Sequence, residues 1–307
     1  MKSWWLSLAL LGGLTVPKPA LAEPAALALS KTHWVLLHGV WPGSSRDWRL
    51  VAPLLQEQGA TVWRPTLPGR VGLFPWADNI AHYVVENAPS NLYVIAHSFS
   101  GAATLLLLRT AYELQHGDLE ALIAHLDCDA FTGRAAYACR QLREGWQQLV
   151  ADRARAARWI QAAQKIKHLF LYHPALRGAC GACWDRWGLW GGDATASLCL
   201  LAKIADWLFT PLERVTWRGA IAITNLYGGS EWMLSLCGLH QNDLVLGLEQ
   251  QRLFVEGHGY REVLVGNQLH FSFAMRRSAA QRLIELLGDR VQVPHEQKEV
   301  SDGLLRR

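Results

Sequence analysis

"YVIAHSFSGAATLLLL", residues 93–108, decides how this chain is read. Four apolar residues, Tyr93 to Ala96, run into a histidine and two serines, and an apolar, Leu-rich segment follows. The first part has the composition of a buried strand and the last part that of a buried helix. A serine at a tight turn between them has its Oγ exposed and the next backbone N–H at a helix N-terminus. Such a turn is crowded, so the residues two before and two after the serine must be small. Ala96 and Ser100 meet that demand around Ser98, and Ser98 and Ala102 meet it around Ser100. The strand separates the two. Its apolar run stops at Ala96, so the turn falls at His97-Ser98-Phe99, whereas a turn at Ser100 would bury His97 and Ser98 in the strand. Ser98 is the candidate nucleophile. Taken alone, the stretch also fits a plain turn in which Ser98 only caps the helix, because both glycines of G-x-S-x-G are replaced.

The flanking chain alternates strands and helices. His33–Leu37 and Thr61–Trp63 read as strands on either side of a helix that opens near Ser44-Ser45 and stops at Gly59. A helix over Ile80–Glu86 precedes the strand Leu92–Ala96, and the next helix begins near Phe99. His168–Tyr172 and Ala220–Tyr227 are further strands, Arg252–Val265 reads as a hairpin around Glu256-Gly-His-Gly259, and Phe271–Leu287 as a helix. This is the pattern of a parallel sheet covered on both faces. Residues 112–165 are helix-like and too long for a simple crossover, which marks an insertion.

Lys2, an apolar run from Trp4 to Val16 and the ending Ala20-Leu21-Ala22 describe a secretory signal peptide over residues 1–22. An uncleaved anchor is the alternative, although Pro17 and Pro19 would interrupt a spanning helix. The expected mature domain is 23–307, secreted or periplasmic. Removing Lys2 and Lys18 lowers the formal charge from +4 to +2. Arg153, Arg155 and Arg158 read as the solvated face of a helix, so nothing points to a nucleic-acid partner. Six cysteines (128, 139, 180, 183, 199 and 237) in an exported chain argue for disulfides, with Cys128 and Cys139 placed to clip a short helical segment. Cys180-Gly-Ala-Cys183 could suggest zinc or redox chemistry, but no second C-x-x-C and no H-x3-H accompanies it.

"VLLHGVWPG" (35–43), "IAHSFSG" (95–101), "LFLYHPALRGA" (169–179), "HQNDLVLG" (240–247) and "NQLHFSF" (267–273) occur in an order that resembles the α/β-hydrolase superfamily, and more closely its secreted bacterial lipases and esterases. The likeness spans about 33–110 and 167–287 and leaves 112–165 unmatched. It implies an α/β-hydrolase fold, a mostly parallel sheet flanked by helices, with helical and Trp-rich cap insertions at about 112–165 and 180–210. It implies an oxyanion hole from the backbone N–H groups of Val40 and Phe99, with His38 supporting the loop by hydrogen bonding. That branch often carries a structural calcium, for which no ligand set can be assigned here. The chemistry itself needs no cofactor.

In this superfamily the order is serine, acid, histidine. Asp243 with His270 and Glu231 with His258 both satisfy it, at equal spacing. His270 follows the strand-like Val263–Val265 run and opens an amphipathic helix, whereas His258 sits between glycines at a turn. His270 is therefore the candidate base and Asp243 the candidate acid, with Glu231 the alternative acid. Trp184, Trp187 and Trp190 beside Cys180 and Cys183 read either as a disulfide-tied packing motif or as an apolar lid. The expected activity is cleavage of carboxylic esters, hydrophobic or lipid-like, with transient contact of the cap with a lipid surface. An acyltransferase with the same triad and a non-catalytic binding protein on the same scaffold are the rivals.

Overall fold

The computed structural model describes residues 29–40, 42–179, 182–184, 192–235, 238–242 and 245–291, with the backbone alone at 184, 230–235, 238–242, 290 and 291. The leader segment 1–22, Cys180, Trp187, Trp190, Cys237 and Asp243 lie outside the described residues.

Six strands form one parallel sheet: β1 (His33–Leu37), β2 (Thr61–Trp63), β3 (Leu92–His97), β4 (Ile166–Tyr172), β5 (Ala222–Tyr227) and, after a separate excursion, β8 (Tyr260–Leu264), in the order β2-β1-β3-β4-β5-β8. The excursion is an antiparallel ribbon of β6 (Ser230–Ser235) and β7 (Gly238–Asn242). The central strands are apolar in nearly every residue because both faces are covered. Val35, Leu37, Val94, Ala96, Leu169 and Leu171 point into one core. Their neighbours Trp34, Leu36, Tyr93, Ile95, Phe170 and Tyr172 point into the other. That period of two is the pleat. Trp34 stacks on Tyr93 at 5.0 Å and on Phe170 at 5.6 Å, tying β1, β3 and β4 together across the second face.

That second face is covered by a 3-10 turn at Ser45–Arg49, α1 (Val51–Glu57) and the C-terminal helix. The first face carries α2 (Leu73–Asn87), α3 (Phe99–His116), α4 (Leu119–His125), α5 (Gly133–Ala151), α6 (Arg153–Lys165), α7 (Asp193–Phe209) and the short α8 (Leu212–Val215). Helix α3 is buried all round from Phe99 to Glu113, since α2, α6, α7 and α8 pack about it. Of its interior polar groups, Arg109 forms an ion pair with Glu113, and Thr110 Oγ1 accepts from Trp146 Nε1 at 2.9 Å. Between 112 and 165 the chain is helical, as expected, and a disulfide joins Cys128 in a 3-10 turn to Cys139 on α5. A second disulfide joins Cys183 to Cys199 on α7.

Four elements differ from expectation. The helix expected from Ser44-Ser45 to Gly59 is a 3-10 turn followed by α1. Helix α2 begins at Leu73 rather than near Ile80, because its first turn buries Leu73, Phe74 and Trp76 and the Leu73 N–H is capped from a distance by Ser197 Oγ at 2.9 Å. The expected hairpin at 252–265 is absent. Gly257 and Tyr260 form an isolated bridge, and β8 pairs in parallel with β5 instead. The expected helix over 271–287 is two helices, α9 (Ser272–Met275) and α10 (Arg277–Val291), parted by extended backbone at Arg276. Phe273 packs on Trp48 beside the site, while Ala280, Leu283 and Leu287 continue the same core toward α1, and the break lets both dock.

Asp78 fastens α6 to α2. Arg155 donates Nε and a terminal nitrogen to its two oxygens at 3.0 and 2.9 Å, and Trp159 Nε1 donates at 2.7 Å. Burial pushes the carboxyl up, and the hydrogen bonds from Arg155 and Trp159 outweigh that, so its pKa lies below the ordinary value. A depressed carboxyl contributes stability above its unfolded pKa of about 3.9, and that contribution fades as pH falls through the folded pKa. We expect Asp78→Asn to lose about 1–3 kcal/mol at pH 7 in urea unfolding, with the gap to wild type closing as the pH is lowered below about 4.

Candidate active site

Ser98 joins β3 to α3 with φ 56° and ψ −125°. A residue with a side chain is strained there by about 1–3 kcal/mol and needs its surroundings to hold it. They do. Ser98 N–H donates to the Tyr172 carbonyl at 3.2 Å, and its own carbonyl accepts from Gly101 at 3.0 Å and Ala175 at 3.1 Å. The side chain makes no capping bond to α3, so Ser98 is not there as a helix cap. The loop after β1 lies directly against it: a Cβ on Gly39 would stand 2.8 Å from Ser98 Cβ and 3.2 Å from its Oγ. Only glycine allows so close an approach.

Ser100 has a different task. It is fully buried, donates its hydroxyl to the His38 carbonyl and accepts from Trp76 Nε1 at 2.9 Å. His38 itself is buried, with Nδ1 donating to the Gly39 carbonyl at 2.7 Å and Nε2 accepting from Leu67 N–H at 2.8 Å. An acceptor on one nitrogen and a donor on the other fix a neutral ring, in keeping with a pKa that burial lowers. His38, Trp76 and Ser100 thus form a polar brace joining the loop of Val40 to the first turn of α3, where Phe99 supplies the first helical N–H. Val40 is half-buried, and its carbonyl closes the loop by accepting from Gly43 N–H at 2.7 Å.

His270 lies between β8 and α9, at the end of the sheet where Ser98 lies, and is 2% exposed. Its ring centroid lies 4.5 Å from that of His97, at a tilt, and 6.1 Å from that of His173, edge-on. No hydrogen bond joins the Ser98 hydroxyl to the His270 ring among the described residues; in unliganded sites such contacts are commonly long and tighten with substrate. Asp47 also lies near this point. Burial raises its carboxyl pKa, against the opposing pull of the Ser44 N–H and of His38, Arg49 and His270.

His258 stands at the opposite end of the sheet. It precedes β8 whereas His270 follows it, and five residues of strand separate those ends by roughly 16 Å. Of Glu231 the backbone is described, in β6. Among the described residues no three His, Cys, Asp or Glu side chains stand together in a group that could hold a metal ion. Sequence reasoning did not single out His97, His173 or Asp47. The one signal for His97 was an imidazole ending an otherwise apolar strand.

A parallel sheet with a strained serine at the C-terminal end of a central strand and a histidine after the last strand defines an α/β protein of hydrolase type. Residues 34–288 match the model of the alpha/beta hydrolase family, and the chain belongs to that family. No curated protein sequence matches it. Among solved structures, a mature lipase of Bacillus licheniformis is similar with 14% identity over 84% of this chain and 92% of its own, at a TM-score of 0.49. A metagenomic carboxyl esterase reaches 15% identity over 92% and 82%, at 0.45. An extracellular alpha/beta-hydrolase from a Paenibacillus species reaches 14% over 83% and 98%, at 0.43. No helix among the described residues is long and apolar enough to cross a membrane.

The brace and the serine should separate under mutation. Ser100→Ala leaves the Trp76 N–H and the His38 carbonyl without their shared partner, for an expected loss of about 1–3 kcal/mol in chemical unfolding. Gly39→Ala, whose new methyl meets Ser98, is expected to lose about 1–3 kcal/mol as well and to slow modification of Ser98 by a serine-directed reagent.

Proposed function

We propose that the protein is an exported serine hydrolase that cleaves carboxylic esters, hydrophobic ones in particular. Ser98 is the nucleophile, His270 the general base and Asp243 the acid that orients it. The Ser98 hydroxyl attacks the ester carbonyl as His270 takes its proton. The tetrahedral oxyanion is met by the N–H groups of Phe99 and Val40, each donor worth about 3–4 kcal/mol in such sites. Collapse expels the alcohol, which receives the proton from His270, and water then releases the acid by the same steps in reverse. Asp243 stabilises the imidazolium that forms in between.

The observation that carries this reading is the conformation of Ser98. A binding scaffold gains nothing from about 1–3 kcal/mol of strain at a serine, whereas a nucleophile gains a helix N-terminus beside it; Ser98 itself is buried, not exposed as the sequence suggested. For the acid, the support lies in its flanks. Asn242, the residue before Asp243, pairs with Ser230 just beyond β5. On the far side, the buried Gln251 carboxamide donates to both the Leu246 and Gly228 carbonyls. Both flanks return to the C-terminal end of β5, next to β8 and the His270 loop. Export is supported by the disulfides Cys128–Cys139 and Cys183–Cys199, which persist in oxidising compartments. Residues 112–165 and 180–210 would then act as the cap that selects apolar acyl chains and meets a lipid surface.

The test is labelling of the mature protein with a fluorophosphonate, followed by assays on p-nitrophenyl esters of increasing chain length. Labelling should disappear in Ser98→Ala and persist in Ser100→Ala. Asp243→Asn should lower kcat by 100-fold or more, on the order of the effect of removing a triad orienter, with Glu231→Gln near wild type. Labelling of Ser98→Ala, or a larger loss in Glu231→Gln than in Asp243→Asn, would overturn the corresponding assignment.

A further inference from the structure

His97 is a buried imidazole beside the nucleophile for which the proposed reaction has no use. The ring is fully buried and boxed by the rings of Trp48, Tyr172, His270, Phe271 and Phe273, with centroids 4.5 to 6.3 Å away. A phenylalanine would fill an apolar box as well. An imidazole also brings Nε2, which lies 2.9 Å from the main-chain carbonyl oxygen of His270. A carbonyl can only accept, so Nε2 carries the proton in this contact.

We propose that His97 is a positioning residue that sets the base against the nucleophile: its Nε2–H holds the His270 carbonyl while its ring packs against the His270 ring. The inference rests on the reading of Ser98 and His270 given above. His97 is joined to Ser98 by a single peptide bond, and the Ser98 main chain is itself held by Tyr172, Gly101 and Ala175. The His97 ring therefore moves with the nucleophile. His270, by contrast, lies outside any strand or helix, between the end of β8 at Leu264 and the start of α9 at Ser272. A second tether, from the Tyr172 hydroxyl to Gln268, reaches the same loop from β4. The two bonds refer the base loop to β3, which leads into the serine turn, and to β4, whose Tyr172 carbonyl holds the Ser98 N–H. A misplacement of about 1 Å in such a pair slows reaction on the order of 100-fold.

The test compares His97→Leu, which keeps the bulk and loses the donor, with His97→Gln, whose carboxamide N–H can reach the same carbonyl. In the full chain, His97→Leu should lower kcat and the rate of fluorophosphonate labelling about 10- to 100-fold with KM near wild type, and His97→Gln should recover most of the loss. Equal losses in both variants, or wild-type kcat in a folded His97→Leu, would overturn the proposal. Should His97→Leu not fold, His97→Phe refills the box with an aromatic ring and takes its place. Crystal structures of wild type and the same variants supply a readout independent of turnover. His270 should be displaced relative to Ser98 in the Leu or Phe variant and restored in His97→Gln; an unmoved His270 overturns the inference. If wild type neither hydrolyses esters nor labels at Ser98, the hydrolase reading fails, and the crystallographic comparison still decides the role of His97.

Discussion

Six strands running the same way leave every strand-to-helix turn at one edge of the sheet. That constraint arranges the rest of the molecule. Buried on both faces, β1, β3 and β4 present few polar side chains along their length, and their C-terminal ends lie together. The loop of Gly39, the turn of Ser98 and the turn of His173 are consequently neighbours without being close in sequence. The return of β8 beside β5 brings His270 to the same edge, and the direction of β8 is what sends His258 to the far one.

The elements at that edge are stabilised by one another. Strain at Ser98 is held by hydrogen bonds from two directions, and the loop after β1 is fixed to α3 by the brace of His38, Trp76 and Ser100. Each polar group in that brace is buried and would be destabilising without its partners. In its place it rigidifies the two segments whose N–H groups would meet an oxyanion. Apolar packing supplies most of the stability, and a few fully paired polar contacts determine the shape of the site.

Much of this was legible in the sequence where the determinants were local. An apolar run ending at Ala96 and a small residue on either side of Ser98 located the turn, because strand burial and steric crowding act over a few residues. The placing of His270 after a strand and before a helix was readable for the same reason. The pairing of β8 was not. Its partner residues on β5 lie 37 positions away, as in Ile223 with Tyr260, while Glu256-Gly-His-Gly259 carries every local mark of a hairpin. The break at Arg276 escaped for a related cause: the apolar spacing runs through it, and only the distant surfaces met by Phe273 and Leu283 require two axes. His97 was hidden by its strand, since the carbonyl it meets belongs to residue 270.

The described disulfides have a bearing on how the chain reaches this state. Cys128–Cys139 and Cys183–Cys199 close loops of 11 and 16 residues, and both lie in the helical layer, away from the strands. Neither crosses the sheet or links its first half to its second. The parallel core can therefore assemble before either bond forms, and oxidation then locks helices that are already docked. Folding of the sheet is in that sense independent of these two bonds, while the durability of the helical layer is not.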